Sequence, residues 1–191
     1  VRKGIVLSSI FEKGGTGKST ITYNLAYYLS QKYKVLVIDL DGQSADITYF
    51  MLGEDKLKSR DSMKTIKSVF ENSMTLDNVI LTVKDNLDLI PANTYVTDLS
   101  PAYKTSVFKN IIRRLKEEYD FIFIDVSPSP NHGHVLCLSV TDYLIPITVL
   151  DAACITALMS LDESVYEVQD ASNPKLKYLG IVVNKYDNRT N

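Results

Sequence analysis

The chain has 191 residues, of which 45% are hydrophobic and 23% charged, and this balance excludes a disordered chain. Its 21 lysines and arginines against 23 aspartates and glutamates give a formal net charge of −2, which excludes a uniformly basic nucleic-acid binder but not a local basic patch. No apolar run approaches the roughly 20 residues that span a bilayer. Residues 4–10 lead directly into glycines and lysines, which disfavours a secretory signal. Cys137 and Cys154 lie in apolar surroundings, which predicts buried free thiols in a reducing cytoplasm.

Short apolar runs rich in β-branched residues alternate with helical patterns along the chain. This alternation predicts an α/β fold with a doubly wound, mostly parallel sheet flanked by helices. The predicted strands are residues 4–10, 34–39, 79–83, 87–90, 121–125, 143–147 and 178–183. The predicted helices have apolar stripes at Ile21, Leu25 and Leu29, at Val107, Ile111 and Leu115, and at Leu158, Leu161, Val165 and Val168. Asp151 is a predicted cap of the last helix, and a weaker helical pattern begins near Ser62.

A glycine-rich segment follows the first predicted strand and precedes a helix. Its sequence is Lys13-Gly14-Gly15-Thr16-Gly17-Lys18-Ser19-Thr20. The glycines let backbone N–H groups converge on an anion, and the helix N-terminus adds further unpaired N–H groups. We therefore predict that this segment binds the phosphates of a nucleotide, with Lys18 at the β- and γ-phosphates and the Ser19 hydroxyl on Mg²⁺. The general phosphate-loop pattern has a glycine where Glu12 stands.

Two predicted strands end in aspartates that would lie beside this loop. The strand at 34–39 ends in Asp39 and is followed by Asp41, and the strand at 121–125 ends in Asp125. Ligands bind at the carboxyl ends of parallel strands. We therefore predict that Asp125 binds Mg²⁺, and that Asp39 binds Mg²⁺ or the Ser19 hydroxyl. Asp41 is predicted to orient or deprotonate an attacking water. Taken alone, these strand ends also fit turns or helix caps.

The last predicted strand is followed by Asn184-Lys185-Tyr186-Asp187-Asn188-Arg189-Thr190-Asn191. The run Asn-Lys-x-Asp is similar to the guanine-reading motif of GTPases. An asparagine amide both donates and accepts, so it can serve adenine or guanine. We predict that Asn184, Tyr186 and Asp187 contact the nucleotide base, and the residues leave both ATP and GTP open.

Together these segments resemble the ParA/MinD superfamily of deviant Walker-A ATPases, and most closely the ParA/Soj-type partition ATPases. The resemblance lies in Lys13 ahead of the glycine pair and in the Asp-x-Asp pattern of Asp39 and Asp41. It also includes residues 186–191, which are similar to the segment that cups adenine in that family and so favour ATP. The chain departs from the family at Gly42, where proline is usual.

The resemblance implies ATP or ADP as the nucleotide and Mg²⁺ as the metal. It also implies a homodimer that closes on ATP binding, with Lys13 of each subunit reaching the phosphates of the other and Asp41 supporting slow hydrolysis. The ATP dimer would bind DNA non-specifically and meet a centromere-binding, ParB-like partner that stimulates hydrolysis. We expect a cytoplasmic, nucleoid-associated protein in which residues 1–191 are a single nucleotide-binding domain. Because the sequence ends just past a predicted strand, we expect this domain to lack its C-terminal helices.

Four other functions remain open. A MinD-type positioning ATPase would bind membrane through a C-terminal amphipathic helix. A bacterial tyrosine kinase would carry clustered terminal tyrosines, whereas the 12 tyrosines of this chain are scattered. A GTPase is favoured by residues 184–187, and a non-enzymatic binding module would require a broken site.

Two further groups of residues are weaker candidates. The basic residues of segment 56–67 and of segment 113–116 fit solvated helix faces as well as a DNA-facing patch. His132 and His134 fit a surface loop better than a metal site, because the pair lacks a third ligand.

Overall fold

The computed structural model describes residues 3–53, 62–94, 96 and 105–187. Its strands are β1 (Ile5–Ser8), β2 (Val35–Asp39), β3 (Leu81–Lys84), β4 (Leu87–Ile90), β5 (Phe121–Asp125), β6 (Tyr143–Leu144), β7 (Ile147–Thr148), β8 (Lys177–Tyr178) and β9 (Val182–Val183). Its α-helices are α1 (Lys18–Leu29), α2 (Asp46–Leu52), α3 (Ile66–Phe70), α4 (Thr105–Glu118), α5 (His132–Val140) and α6 (Ala152–Ala171). A short 3₁₀ helix spans Leu76–Asn78.

A central sheet has the strand order β3-β4-β2-β5-β1-β6-β8. Only β3 runs antiparallel within the described sheet, and β7 pairs with β9 in a separate parallel pair. All five residues of β2 are buried, because helices cover both faces of the sheet. Leu36 and Ile38 pack into the core on one face, and Val35 and Val37 pack into the core on the other. The predicted α/β class and the mostly parallel, doubly wound sheet are confirmed.

Two of the predicted strands are each divided in the structure. The strand predicted at 143–147 is broken into β6 and β7 around Pro146, which lacks the N–H that a continuous ladder needs. The strand predicted at 178–183 is divided in the same way into β8 and β9, which pair with β6 and β7. The strands predicted at 87–90 and 121–125 match β4 and β5.

The buried faces of two helices differ from the predicted stripes. Helix α1 buries Lys18, Thr22 and Ala26, whereas Leu25 is 38% exposed. Ala26 packs in one core cluster with Val35 and Val37 of β2, and this tertiary contact overrides the leucine spacing. Helix α4 buries Phe108 rather than Val107.

Helix α6 matches its prediction more closely. It buries Leu161, Val165 and Val168, while Leu158 is partly buried. The Asp151 carboxylate accepts a hydrogen bond from the Cys154 amide at 2.9 Å and so caps the helix. The predicted cap is confirmed.

Helices α2 and α5 were not predicted. Helix α5 begins after Asn131, whose side chain accepts a hydrogen bond from the Gly133 amide and turns the chain into a helix. His134 lies on this helix and is buried, so its assignment to a surface loop is wrong. Cys137 and Cys154 are buried free thiols, as predicted.

Some predictions fall on residues that the structure does not describe. Lys56, Lys58 and Arg60 of the basic segment and residues 188–191 of the base-binding segment lie outside the described residues. In the part of the chain that is described, no helix combines the length and apolar composition needed to cross a membrane.

Candidate nucleotide-binding site

The predicted phosphate loop connects the carboxyl end of β1 to the N-terminus of α1. Gly15 and Gly17 have φ angles of +73° and +96°, which glycine adopts without the steric cost that other residues meet. A Cβ on Gly17 would lie 2.4 Å from the Asn184 amide nitrogen. The loop therefore needs glycine at this position for its conformation and for its close contact with the chain after β9.

A cleft of about 470 Å³ opens over this loop at the carboxyl edge of the sheet. The predicted site residues that line it are Gly14, Gly15, Gly17, Lys18, Ser19, Thr20, Asp41 and Asn184. The other lining residues are Ser44, Asp46, Val126, Pro128 and Lys185. A cleft of this volume is sufficient for a small ligand.

Lys18 is the buried cation of the cleft. Its ammonium group lies 3.2 Å from the Lys13 carbonyl oxygen, to which it donates a hydrogen bond. Burial lowers the pKa of Lys18, and the nearby carboxylates of Asp125, Asp41 and Asp46 act in the opposite direction. A positive charge removed from water in this way is suited to binding a negatively charged ligand.

Asp125 lies buried at the end of β5, directly opposite Asp39 of β2 in the parallel register. Among the described residues, neither carboxylate oxygen of Asp125 has a hydrogen-bond partner of normal geometry. Burial raises the pKa of Asp125 to about 7, although the Ser19 hydroxyl and the Lys18 ammonium lower it. A buried carboxylate beside a hydroxyl has the oxygen chemistry that Mg²⁺ prefers.

The carboxylate of Asp39 is held by hydrogen bonds within the protein. One oxygen accepts from the Asp41 amide at 2.8 Å, and the other accepts from the Thr48 hydroxyl at 2.6 Å and amide at 3.1 Å. Burial, and then the negative charge of Asp125, raise the pKa of Asp39 well above its usual value. The donors to Asp39 are therefore Thr48 and Asp41, and not the Ser19 hydroxyl. Because Thr48 belongs to α2, these bonds attach α2 to the end of β2. Direct binding of metal by Asp39 stays a prediction.

Asp41 has a different environment, because it lines the cleft. One of its carboxylate oxygens accepts from the amides of Gln43 and Ser44 at 2.9 and 3.3 Å. Its other oxygen accepts from the Ser44 hydroxyl at 2.8 Å. These bonds fix the carboxylate in the lining of the cleft, where it can accept a proton or orient a water.

Lys13 points away from the cleft in this chain. Its ammonium group forms an ion pair with Asp151, the residue that caps α6. The hydrogen bond to Asp151 raises the pKa of Lys13, and the same bond lowers the pKa of Asp151. Thr16 also does not line the cleft. Its side chain is buried, and within the described residues its hydroxyl has no hydrogen-bond partner.

The chain after β9 lies against the phosphate loop. Asn184 donates a hydrogen bond to the Thr16 carbonyl at 2.8 Å, and Lys185 donates one to the Gly15 carbonyl at 2.8 Å. Asn184 therefore supports the loop as well as lining the cleft. Tyr186 is 66% exposed, and neither it nor Asp187 lines the cleft, so their contact with a base stays a prediction.

Helix α5 supports the loop that follows β5. The imidazole Nε2 of His134 lies 2.7 Å from the Ser127 carbonyl oxygen. The side-chain amide of Asn131 donates a hydrogen bond to the Ser127 hydroxyl at 2.9 Å. These contacts hold the segment that presents Val126 and Pro128 to the cleft. The sequence gives no signal for the role of His134, because its partner is a backbone carbonyl.

Comparison with known proteins shows the same architecture elsewhere. A family model described as an AAA domain matches residues 4–178. The Methanocaldococcus jannaschii protein MJECL24 is 34% identical over 97% of this chain and 75% of its own length. The sporulation initiation inhibitor protein Soj of Bacillus subtilis is 28% identical over 98% of this chain and 75% of its own length. The chain spans 59% of the length of two Mycobacterium tuberculosis relatives that are 31% identical.

Solved structures of plasmid partition proteins have a fold similar to that of this chain. A plasmid partition protein from Borrelia burgdorferi has a TM-score of 0.86 and 28% identity, covering 99% of this chain and 83% of that one. A candidate plasmid partition protein from B. burgdorferi B31, bound to AMPPNP, has a TM-score of 0.81 and 28% identity, covering 97% of this chain and 77% of that one.

Proposed function

We propose that this chain, which belongs to the ParA/MinD superfamily of deviant Walker-A ATPases, acts as a ParA-type ATPase in plasmid or chromosome partition. One observation carries the proposal: a glycine loop and a buried lysine line a cleft, and the buried Asp125 carboxylate lies near the Lys18 and Ser19 side chains of that cleft. The Soj relative and the two partition-type structures support the process in which we place it.

We assign the residues of the cleft to the parts of a bound ATP. The amides of residues 14–17 and the Lys18 ammonium would bind the phosphates. Ser19 and Asp125 would hold Mg²⁺, which supplies charge neutralisation at the phosphates when bound. Within the described residues no group of three His, Cys, Asp or Glu could hold a metal ion without the phosphate oxygens. The AMPPNP-bound relative supports adenine over guanine.

We assign the activation of water to Asp41, because its carboxylate lines the cleft and is held there by the Gln43 amide and the Ser44 hydroxyl. Among the described residues that line the cleft there is no arginine to stabilise the charge of the transition state. An arginine finger accelerates such reactions by ~10³–10⁵. Slow turnover follows, unless a second molecule supplies the missing cation.

We propose that Lys13 of a second molecule supplies this missing cation. In the homodimer that ATP closes, Lys13 would leave Asp151 and reach the phosphates bound by the partner subunit. We further propose that this dimer binds DNA non-specifically on the nucleoid. A ParB-like, centromere-binding partner would stimulate hydrolysis and so release the DNA.

The experiment measures ATP hydrolysis, dimerisation and DNA binding on the same protein. We expect light scattering to show a dimer with ATP and a monomer with ADP, and only the dimer to bind random duplex DNA. Asp41→Ala should still form the ATP dimer, and its rate of ATP hydrolysis should fall at least about tenfold, since a general base contributes ~10²–10⁴ in rate. Asp85→Asn is the matched control, because Asp85 is an exposed carboxylate between β3 and β4.

Three results would contradict the proposal. An Asp41→Ala variant that hydrolyses ATP at the parental rate would overturn the assignment of the water-activating residue. Preferential competition by GTP would overturn the choice of base. Binding of the ATP form to liposomes and not to DNA would identify a MinD-type positioning ATPase instead.

A further inference from the structure

A second cleft lies at the amino edge of the sheet, opposite the nucleotide site. It has a volume of about 390 Å³ and is bordered by the chain before β1, by α4, and by the segments that lead into β6 and β8. The charged residues that line it are Lys3, Lys109, Arg113, Lys116, Lys175 and Asp142. Five cations thus surround one carboxylate in a chain whose net charge is −2.

The single carboxylate of this basic cleft is already used within the protein. Asp142 accepts a hydrogen bond from the Lys116 ammonium at 2.6 Å and another from the Val6 amide at 2.7 Å. It therefore neutralises one of the five cations and fixes the position of its ammonium group. The remaining cations keep an excess of positive charge over the cleft.

The other cations differ in how firmly they are held. Lys109 donates a hydrogen bond to the Ser172 carbonyl at the end of α6, and Arg113 bonds to the Asn110 side chain. Neither of these two contacts involves a carboxylate. Within the described part of the chain, Lys3 and Lys175 form no ion pair, and both are exposed at the rim. Two of the cations are therefore prepositioned and two are free to close on a ligand.

We infer that this basic cleft is a second anion site, which binds a compact oligophosphate. Its volume falls in the range of small-ligand pockets, and the apolar side chains of Ile112, Val140 and Pro174 also line it. Lysine and arginine together suit phosphate, because guanidinium binds two oxygens at once and ammonium acts as a point charge. The inference depends on this cleft alone and not on the function proposed for the nucleotide site.

The test uses inorganic triphosphate as the probe. It is titrated by calorimetry into the protein saturated with ADP and Mg²⁺, and separately into a Lys18→Ala variant that lacks the phosphate-loop cation. We expect binding in both cases, weakened by salt. The Lys109→Gln/Arg113→Gln variant should weaken it at least about tenfold, because two charged donors are lost.

The matched control is Lys32→Gln/Lys64→Gln, which changes the net charge equally at exposed sites outside the cleft. We expect it to change the affinity less than about twofold. Equal weakening by the control would show a general charge effect and overturn the site, as would unchanged binding by the cleft variant. If the double variant melts early, Arg113→Gln alone serves, since Arg113 is exposed.

A final arm separates free phosphate from the phosphates of DNA. A short random duplex is added as competitor to the triphosphate complex. We expect little displacement, because a concave cleft of this size suits a compact anion. Displacement by DNA that depends on Arg113 would assign the cleft to the DNA backbone and overturn the oligophosphate assignment.

Discussion

Lys13 of the phosphate loop forms an ion pair with Asp151, which caps the N-terminus of α6 138 residues later in the chain. This relationship joins the glycine loop to the helix that covers the neighbouring part of the sheet. It also occupies the lysine that we propose acts on the partner subunit. In the dimer that we propose, Lys13 would have to leave this pair, so Asp151 would compete with the phosphates for the same cation.

The first prediction concerns this competition. Asp151→Asn removes the negative charge but preserves the helix cap, because asparagine caps helices about as well as aspartate. We expect the variant to dimerise at lower ATP concentration than the parent, because Lys13 is released, and Lys13→Ala to dimerise poorly at any concentration. Light scattering during an ATP titration measures both. Dimerisation of Asp151→Asn at the parental ATP concentration would show that the ion pair does not restrain Lys13.

The second prediction concerns Gly17. An alanine there must adopt a φ of +96° and place its Cβ 2.4 Å from the Asn184 amide nitrogen. We expect Gly17→Ala to lower the free energy of unfolding by about 1–3 kcal/mol and to weaken nucleotide binding. Adding Asn184→Ala should recover part of this loss, since it relieves the contact but not the backbone strain. Urea unfolding measures the free energies.

Gly14→Ala is the control for this experiment. No atom lies within 4 Å of a Cβ at Gly14, and its φ is not positive. Its stability should therefore change little. If Gly14→Ala and Gly17→Ala were destabilised equally, the contact with Asn184 and the positive φ would not explain the loss.

The third prediction concerns the pH dependence of stability that Asp125 causes. Its pKa is raised to about 7 in the folded chain, so between about pH 4 and 7 the folded state binds a proton that the unfolded state does not. The free energy of unfolding must therefore fall as the pH rises through that window. Asp125→Asn removes the carboxyl whose ionisation lowers the free energy of unfolding. We therefore expect the variant to be more stable than the parent at pH 8, without nucleotide, by up to about 4 kcal/mol.

Urea unfolding at pH 5 and pH 8, in the absence of nucleotide and Mg²⁺, measures this effect. The same variant should lose Mg²⁺-dependent nucleotide binding, since its amide is a poor metal ligand. Asp85→Asn provides the control, because it makes the same substitution at an exposed position outside the cleft. An Asp125→Asn protein that is less stable than the parent at pH 8 would contradict the prediction.

The fourth prediction concerns the bond between Thr48 and Asp39. The Thr48 hydroxyl donates to the Asp39 carboxylate at 2.6 Å and accepts from the Ala92 amide at 3.0 Å, and it is fully buried. Thr48→Val should lower the free energy of unfolding by about 1–3 kcal/mol, because it leaves buried polar groups unpaired. Thr48→Ser keeps the hydroxyl and should cost only about 0.8 kcal/mol for the lost methyl group. Equal stability of the two variants in urea would contradict this account.

The sequence determined the features that depend on neighbouring residues. The apolar strands at 87–90 and 121–125, the cap at Asp151 and the glycines of the phosphate loop follow from local backbone and side-chain preferences, and the structure has them as predicted. Strand breaks and buried helix faces were predicted less well. Pro146 divides one strand, and α1 buries short side chains in place of its leucines.

Only the tertiary structure decided the contacts between distant segments. It brought Asp151 to Lys13, Asn184 to the loop carbonyl of Thr16, and Thr48 to Asp39. It also gathered lysines from separate segments into the basic cleft at the amino edge of the sheet. Each of these contacts depends on which elements pack side by side, and residue spacing along the chain contains no information about that.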